Sequence, residues 1–321
     1  MISFIVIGKN EGWKLTKCFK SVFNFVELNK ISNYEVIYID SKSTDDSIER
    51  AKAFDEVKVF QITGECNAAI ARNIGAKESI GDILYFIDGD MEIKSDFYNV
   101  AFDKSNKLIY PFISGGLINY NYDNNWNLIS KSNYGRNSEK DKYEYTTGGI
   151  FIINKELWNK VGGMQTKYMR NQDLDLGLRL SKIGYPVLRK KEIIANHHTI
   201  PYNDNKRTWK LLFNKSELYP MVLFRDHISN QIAWKMLIFE NYTLIFLILA
   251  VIINLQIFCP IIFTVYVLLL LFKSWNSDRL MNLSKILQLP KLFLRDISRF
   301  FAFFLFYPKS PKIEYKRIIN V

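Results

Sequence analysis

The sequence predicts an α/β domain on a mostly parallel sheet with flanking helices, followed by C-terminal membrane-associated helices. Three observations carry that expectation. Short apolar runs alternate with helix-period segments through the first ninety or so residues. Polar residues fall where the runs end: Asn10 and Glu11, then Asp40, then Asp88 and Asp90. A long apolar stretch near residues 237–275 precedes a basic segment. The chain has 321 residues, roughly two domains' worth. With 48% hydrophobic and 23% charged residues it can bury a real core, which excludes bulk disorder.

Taken in order, residues 2–7 read as a buried first strand rather than a signal peptide, because no basic leader precedes them and Gly8-Lys9-Asn10 interrupts the run early. A helix is expected over 14–25, a strand over 34–39 ending at Asp40, and a short helix near 47–53. A third strand over 57–61, a helix over 67–79 and a fourth strand over 83–87 ending at Asp88 follow. Apolar strands separated by helices pair in parallel and stay covered on both faces, so ligands should lie beyond their carboxyl ends. Residues 108–154 are less regular, with a strand at 149–153; a helix at 174–183 and short strands near 186–188 and 193–195 complete the globular part, 1–200.

Residues 201–235 interleave Trp209, Leu211, Phe213, Met221 and Phe224 with Lys206, Arg207, Lys210 and Arg225, the pattern of an amphipathic interfacial linker. Residues 236–275 hold two apolar stretches parted by Asn254, Gln256 and Pro260. Each is near the lower length limit for a spanning helix, so the hairpin is either transmembrane or re-entrant. Residues 276–321 form a basic amphipathic tail.

The net charge of +11 is concentrated there, with ten basic residues against three acidic ones from Lys273 onward. A basic excess flanking an apolar stretch points to membrane lipid and a cytoplasmic side; no helical DNA-reading motif accompanies it, so no nucleic-acid partner is expected. Cys18, Cys66 and Cys259 are scattered and odd in number, which argues against a disulfide framework or a structural zinc site.

Among candidate chemical groups, Asp88-Gly89-Asp90 at a strand end is the strongest. Two carboxylates around a glycine can converge on a divalent cation, although Asp-Gly is also an ordinary turn signal. Asp40 ends a neighbouring strand in the same way, or serves as a turn aspartate ahead of a helix. Asp173 and Asp175 open a helix, where the dipole alone would favour acids. Arg179 faces either a diphosphate or a carboxylate, and one of His197 and His198 is a candidate ligand.

Roughly residues 1–200 resemble the family 2 inverting glycosyltransferases with the GT-A type, Rossmann-like fold. The resemblance rests on the order and spacing of several pieces: residues 4–11, Val36-Ile37-Tyr38-Ile39-Asp40 with Ser41–Asp45, Ala71-Arg72-Asn73-Ile74-Gly75, and Ile87-Asp88-Gly89-Asp90. Thr147-Gly148-Gly149, Val161-Gly162-Gly163-Met164 and Asn171-Gln172-Asp173-Leu174-Asp175-Leu176 follow. It implies a nucleotide-sugar donor, UDP-sugar favoured, a divalent metal, Mn2+ or Mg2+, and inversion at the anomeric carbon. Carried over by position, Asp40 would read the nucleoside, with Asn10, Glu11 and Arg72 lining the pocket. Asp88 would sit at the ribose and Asp90 at the metal, with Asp88 and His197 as further candidate metal ligands. Gly148, Gly149, Gly162 and Gly163 look like the loops beside sugar and acceptor, Gly149 on the donor side. Asp173 is similar to the catalytic base; the family usually carries Glu before it, and here Gln172 removes that charge.

The resulting expectation is a glycosyltransferase at the cytoplasmic face of the inner membrane, acting on a lipid-linked oligosaccharide or surface polysaccharide. The alternatives are a polyprenyl-phosphate glycosyltransferase and a catalytically inactive membrane scaffold. A processive polymerase is disfavoured because no Gln-x-x-Arg-Trp element occurs. A nucleotidyltransferase would want a glycine-rich basic loop where Asn10 and Glu11 stand.

Overall fold

The computed structural model describes residues 1–135, 137–200, 214–256, 260–276 and 289–318. The chain divides into two compact units, Met1–Asn203 together with Lys309–Val321, and Asp204–Pro308.

In the first unit β1 (Ile2–Gly8), β2 (Tyr34–Asp40), β3 (Val57–Ile62) and β4 (Ile83–Asp88) form a parallel array in the order β3-β2-β1-β4. The intervening helices are α1 (Trp13–Leu28), α2 (Ser47–Lys52) and α3 (Ala68–Glu78). Alternate residues of β1 enter different cores, because side chains of a strand project to opposite faces. Phe4 and Val6 pack with Leu15, Phe19 and Phe25 of α1, whereas Ile5 and Ile7 pack with Ala71 and Ile74 of α3. Burial on both sides is why these strands are continuous apolar runs, each such side chain contributing about 1.5–3 kcal/mol on burial. Gly75 lets α3 lie directly on β1: a Cβ there would come 2.2 Å from Ile5 Cγ2.

The register sets the carboxylates. Gly8 lies level with Asp40 on one side of β1, and Ile7 level with Asp88 on the other. Both acids therefore emerge at one end of the sheet.

Beyond β4 the sheet becomes mixed. β9 (Phe151–Asn154) runs antiparallel between β4 and β6 (Phe112–Tyr122), and β6 is parallel to β10 (Val187–Thr199). β5 (Met91–Ile93) and β8 (Lys142–Glu144) pair antiparallel with β10, and β7 (Leu128–Asn133) with β6. The helices of this half are α4 (Tyr98–Ala101), α5 (Lys155–Lys160) and α6 (Gln172–Lys182). Antiparallel neighbours need no crossover helix, which is how the irregular 108–154 region joins the sheet. The two short strands expected at 186–188 and 193–195 are one strand, its register shifting between Arg189 and Ile193 and again before Ala195. A bulge accommodates the polar Lys190-Lys191-Glu192 interruption without ending the pairing.

The expectation of one basic tail over 276–321 is corrected. β11 (Tyr315–Ile318) pairs antiparallel with β3 and belongs to the first unit. Tyr315 stacks edge-on against Phe60, centroids 6.1 Å apart, and its hydroxyl donates to Glu78 Oε1 at 2.5 Å. The exposed Lys316 and Arg317 supply part of the basic character, as charged residues commonly do on an edge strand.

The second unit holds α7 (Tyr219–Asp226), α8 (Gln231–Gln256), α9 (Pro260–Asn276) and α10 (Leu289–Leu305). The 201–213 part of the expected linker lies outside the described residues, as does Cys259. Gln231–Ile253 is long and apolar enough to cross a membrane, and Ile261–Ser274 is a shorter apolar helix. α8 is kinked at Asn241, where φ is −122°. Lys273 Nζ donates to the Glu240 carbonyl at 2.6 Å, and Arg299 donates to Asn241 Oδ1 at 2.7 Å. Kinked backbone in an apolar helix persists where neighbouring polar groups satisfy it. Lys273, near the end of α9, reaches the first half of α8, so these two helices run antiparallel.

Candidate functional site

The parallel array delivers its strand ends to a cavity of about 310 Å³ lined by Gly8, Lys9, Glu11, Ser41, Asp88 and Asp90, among others. A larger cavity, about 920 Å³, opens at the opposite end of the strands beside Met1, Asn33 and Asp82. The smaller one is the chemical candidate: open α/β sheets bind ligands beyond their carboxyl ends, and the converging acids are there.

On the β2 side, Asn10 has φ 57°, a left-handed conformation that asparagine tolerates. Its Oδ1 accepts from Thr44 N at 2.7 Å, while Asn10 N donates to Ser43 Oγ at 2.9 Å. Asp40 is fully buried beneath that loop. Its Oδ2 accepts from Ser43 N at 3.0 Å and Gln61 Nε2 at 3.2 Å, and Oδ1 accepts from the Tyr38 hydroxyl at 3.2 Å. Asp40 thus sits beneath the 41–44 loop with the Ser43, Gln61 and Tyr38 donors on its carboxylate.

Glu11 pairs with Lys14 at 2.6 Å. Burial, with Asp90 nearby, pushes its carboxyl up to about 7, against the pull of Lys14. Asp88 Oδ1 accepts from Arg72 at 2.6 Å, and the same guanidinium donates to the Gly149 carbonyl at 3.2 Å. Burial raises Asp88 to about 6 despite Arg72. Arg72 is buried and its Nε has no hydrogen-bond partner. Gly149 adopts φ +95°, and a Cβ there would fall 2.4 Å from Asp88 Oδ2. Only glycine fits both the conformation and the approach.

Asp90 and His197 form a second pair, Oδ2 to Nε2 3.4 Å. Burial by itself would raise Asp90, but the His197 ring holds it below its ordinary value; His197 is raised reciprocally, Asp90 outweighing its burial. The His197 Nδ1 lies 3.0 Å from Asn119 Oδ1, a contact that fixes the ring with Nε2 toward Asp90. Asp90 Oδ1 is buried without a hydrogen-bond partner. His198 is turned elsewhere: Nδ1 is 2.8 Å from the Tyr122 hydroxyl and Nε2 is 3.0 Å from Glu92, which the ring brings down to about 2. Of the two adjacent histidines, His197 is therefore the one at the carboxylates. No group of three or more His, Cys, Asp or Glu side chains forms a metal cage among the described residues. Asp88 is engaged by Arg72, which leaves Asp90 paired with His197 at this point.

Asp173 sits in the first turn of α6, after Asn171 in a left-handed conformation. Its Oδ2 accepts from the Thr146 hydroxyl and from Gly148 N, the latter at 3.4 Å. Gly148 and Gly149 thereby link Asp173 to Asp88 through two residues. Asp175 and Arg179 are structural. Arg179 NH2 is 2.7 Å from Asp175 Oδ2, and its guanidinium donates to the Val161 and Gly163 carbonyls at 2.7 and 2.8 Å. This resolves the alternatives for Arg179: it pairs with a carboxylate and pins the 161–163 loop.

Lys9, Asn119 and Thr146 were not among the expected site residues. Lys9 is a cation directly after the first strand, a signal legible in the sequence. Asn119 and Thr146 meet partners 78 and 27 residues away, and no local pattern marks them.

Residues 3–165, just over half of the chain, match Glycosyl transferase family 2. The glycosyltransferase AglE of Haloferax volcanii is 23% identical over 63% of this chain and 68% of its own length. The dolichyl N-acetyl-alpha-D-glucosaminyl phosphate 3-beta-D-2,3-diacetamido-2,3-dideoxy-beta-D-glucuronosyltransferase of Methanococcus voltae is 26% identical over 62% of this chain and 67% of its own. The crystal structure of GalNAc-T7 with UDP, GalNAc and Mn2+ superposes with a TM-score of 0.50 at 17% identity, over 62% of this chain and 44% of that one, a likeness of fold. With the carboxylate-bearing sheet in place and the match spanning it from the first strand past the Gly148-Gly149 loop, the chain belongs to glycosyl transferase family 2 and is a glycosyltransferase.

Proposed function

We propose that the protein transfers a sugar, with inversion, from a nucleotide-diphosphate donor, UDP-sugar favoured, to a hydroxyl of a membrane-associated glycan acceptor. The observation that carries this reading is the short link from Asp88 through Gly149 and Gly148 to Asp173, beside a cavity that also holds Asp90. Inverting transfer needs a proton acceptor opposite a leaving diphosphate, and that spacing supports it.

In this reading the 41–44 loop, held from beneath by Asp40, forms the nucleoside wall with Asn10. Lys9 faces the diphosphate, and Glu11 takes its place beside the ribose with Asp88. Arg72 orients Asp88 and the Gly149 carbonyl. Asp90 and His197 fit a divalent cation, Mn2+ or Mg2+, by donor chemistry: an unpartnered buried carboxylate oxygen next to an imidazole nitrogen oriented by Asn119. A cation there would offset the charge that develops on the departing diphosphate. Asp173 accepts the proton of the attacking hydroxyl; Thr146 and Gly148 hold Oδ2, so Oδ1 is the oxygen offered to the acceptor. A polyprenyl phosphate would arrive already ionised and need no such base, so Asp173 favours a hydroxyl acceptor. The apolar Gln231–Ile253 helix and the basic C-terminal residues support attachment to the inner membrane from the cytoplasmic side.

The test is a thermal-shift screen of the full chain against UDP-, GDP- and dTDP-sugars with and without Mn2+, followed by transfer to extracted membrane lipids. A metal-dependent rise with one nucleotide sugar and label on a glycan hydroxyl are expected. No nucleotide-sugar response would refute the reading, and label on a polyprenyl monophosphate would replace the acceptor.

A further inference from the structure

Beside the carboxylates lies an aromatic wall that the transfer chemistry does not use. Trp126 is 40% exposed and has φ 63°, a conformation that costs a bulky residue energy. The turn that holds it is rigid: Trp126 N donates to the Asp123 carbonyl at 3.1 Å, and Asp123 Oδ1 accepts from Asn125 N and Asn127 N, both at 2.8 Å. Trp126 packs edge-on against Trp13, centroids 5.8 Å apart, and Trp13 packs in the same way on His198 at 5.4 Å. Lys14, the partner of Glu11, lies 4.9 Å from the Trp126 ring centroid. The wall is thus fixed both to the strand that carries His197 and to the Glu11–Lys14 pair. Trp126 follows β6, which with β10 lies beyond β4 in the strand order, whereas Asp40 ends β2 on the other side of β1.

We propose that Trp126, backed by Trp13, is the platform on which a sugar ring of the glycan acceptor stacks. The proposal rests on the transferase reading above and adds the residue that holds and selects the acceptor. Sugar rings present an apolar C–H face that packs on indole, and their hydroxyls suit the polar neighbours of this wall. Asn121 Nδ2 donates to Ser130 Oγ and Ser132 Oγ, both at 3.1 Å, making an exposed amide and hydroxyl row along β6 and β7. A tryptophan kept at this strain with much of its surface open offers a ring face to a ligand beside its packing on Trp13 and Tyr122.

The test uses the full chain in detergent with UDP and Mn2+ on a printed array of mono- to tetrasaccharides, comparing wild type with Trp126→Gly and Trp126→Phe. Retention on a related group of saccharides is expected, weakened about tenfold in Trp126→Gly and largely kept in Trp126→Phe. Trp126→Gly relieves the strain at φ 63° but gives up the packing on Trp13 and Tyr122, so the Tm of each variant is measured alongside; lost retention in a variant still folded at the assay temperature reports the ring. Retention equal in Trp126→Gly and wild type, no retention at all, or a Trp126-dependent loss of binding to anionic lipid vesicles in place of saccharides would overturn the proposal. Binding of the UDP-sugar by the wild type, measured on the same preparation, tells the two readings apart: if it persists while the array is silent, only the platform falls.

Discussion

The two halves of the catalytic sheet place their functional groups by different means. In the parallel half, β1 to β4, each acid ends a strand, and register alone sets Asp40 and Asp88 on either side of the Ile7–Gly8 edge. In the mixed half, position depends on contacts between distant segments: Asn119 on β6 orients His197 on β10, and Thr146 holds Asp173 on α6. Parallel βαβ units repeat one local geometry, whereas the mixed half is assembled from loops, so its site residues are fixed only when the strands pack. Substitutions should therefore damage the two halves differently.

The largest effect is expected from Asp173→Asn, which keeps shape and removes the proposed base. Its kcat should fall about 10²–10⁴-fold while the donor Kd changes little, as single-turnover and equilibrium binding measurements would show. Normal turnover would take Asp173 out of the reaction. Next, Asn119→Ala should weaken Mn2+-dependent donor binding about 10–100-fold without touching an acid, read by calorimetry across Mn2+ concentrations. Unchanged metal dependence would mean that His197 needs no orientation, or takes no part.

Gly149→Ala tests the seam between the halves. It forces φ 95° on a residue with a Cβ and drives that Cβ toward Asp88. A loss of about 1–3 kcal/mol in denaturant stability with a fall in kcat is expected. The smallest effect belongs to the far end of the parallel half. Glu35 accepts from Ser3 Oγ and Ile80 N, both at 2.6 Å, and from Lys58 Nζ at 2.8 Å. Although burial acts to raise Glu35, these bonds hold it below its ordinary value of 4.5. A carboxyl depressed in the folded state stabilises the protein above its unfolded pKa, and that contribution is lost as pH falls through the folded value. Glu35→Gln should cost about 1–3 kcal/mol at neutral pH and flatten the acid limb of the stability curve below about pH 4.5, with activity per folded molecule unchanged.

The parallel half was largely legible beforehand. Period-2 burial on two faces left continuous apolar runs, and Asp40, Asp88 and Asp90 stood out as charges ending them. Asp173 was marked by its place before a helical pattern. What stayed hidden has one cause. The donors around Asp40, from Tyr38, Ser43 and Gln61, come together only when β2, its loop and β3 meet. The single strand over Val187–Thr199 looked like two, because the bulge masks its continuity. Tyr315 and Ile318 looked like part of a tail because nothing local shows that β3 lacks an outer partner.

By itself the amino-acid sequence determined the alternation of strand and helix, the strand-end acids and the apolar C-terminal helices, since these follow from periodicity and from the cost of burying charge among apolar neighbours. The tertiary structure alone decided that His197 and not His198 meets Asp90, that Arg179 is a structural cation, that Asp40 works from beneath its loop, and that Lys14 lies over Trp126. Those outcomes depend on which strands become neighbours and in what register, a choice made by packing over the whole sheet and written in no short stretch of the chain.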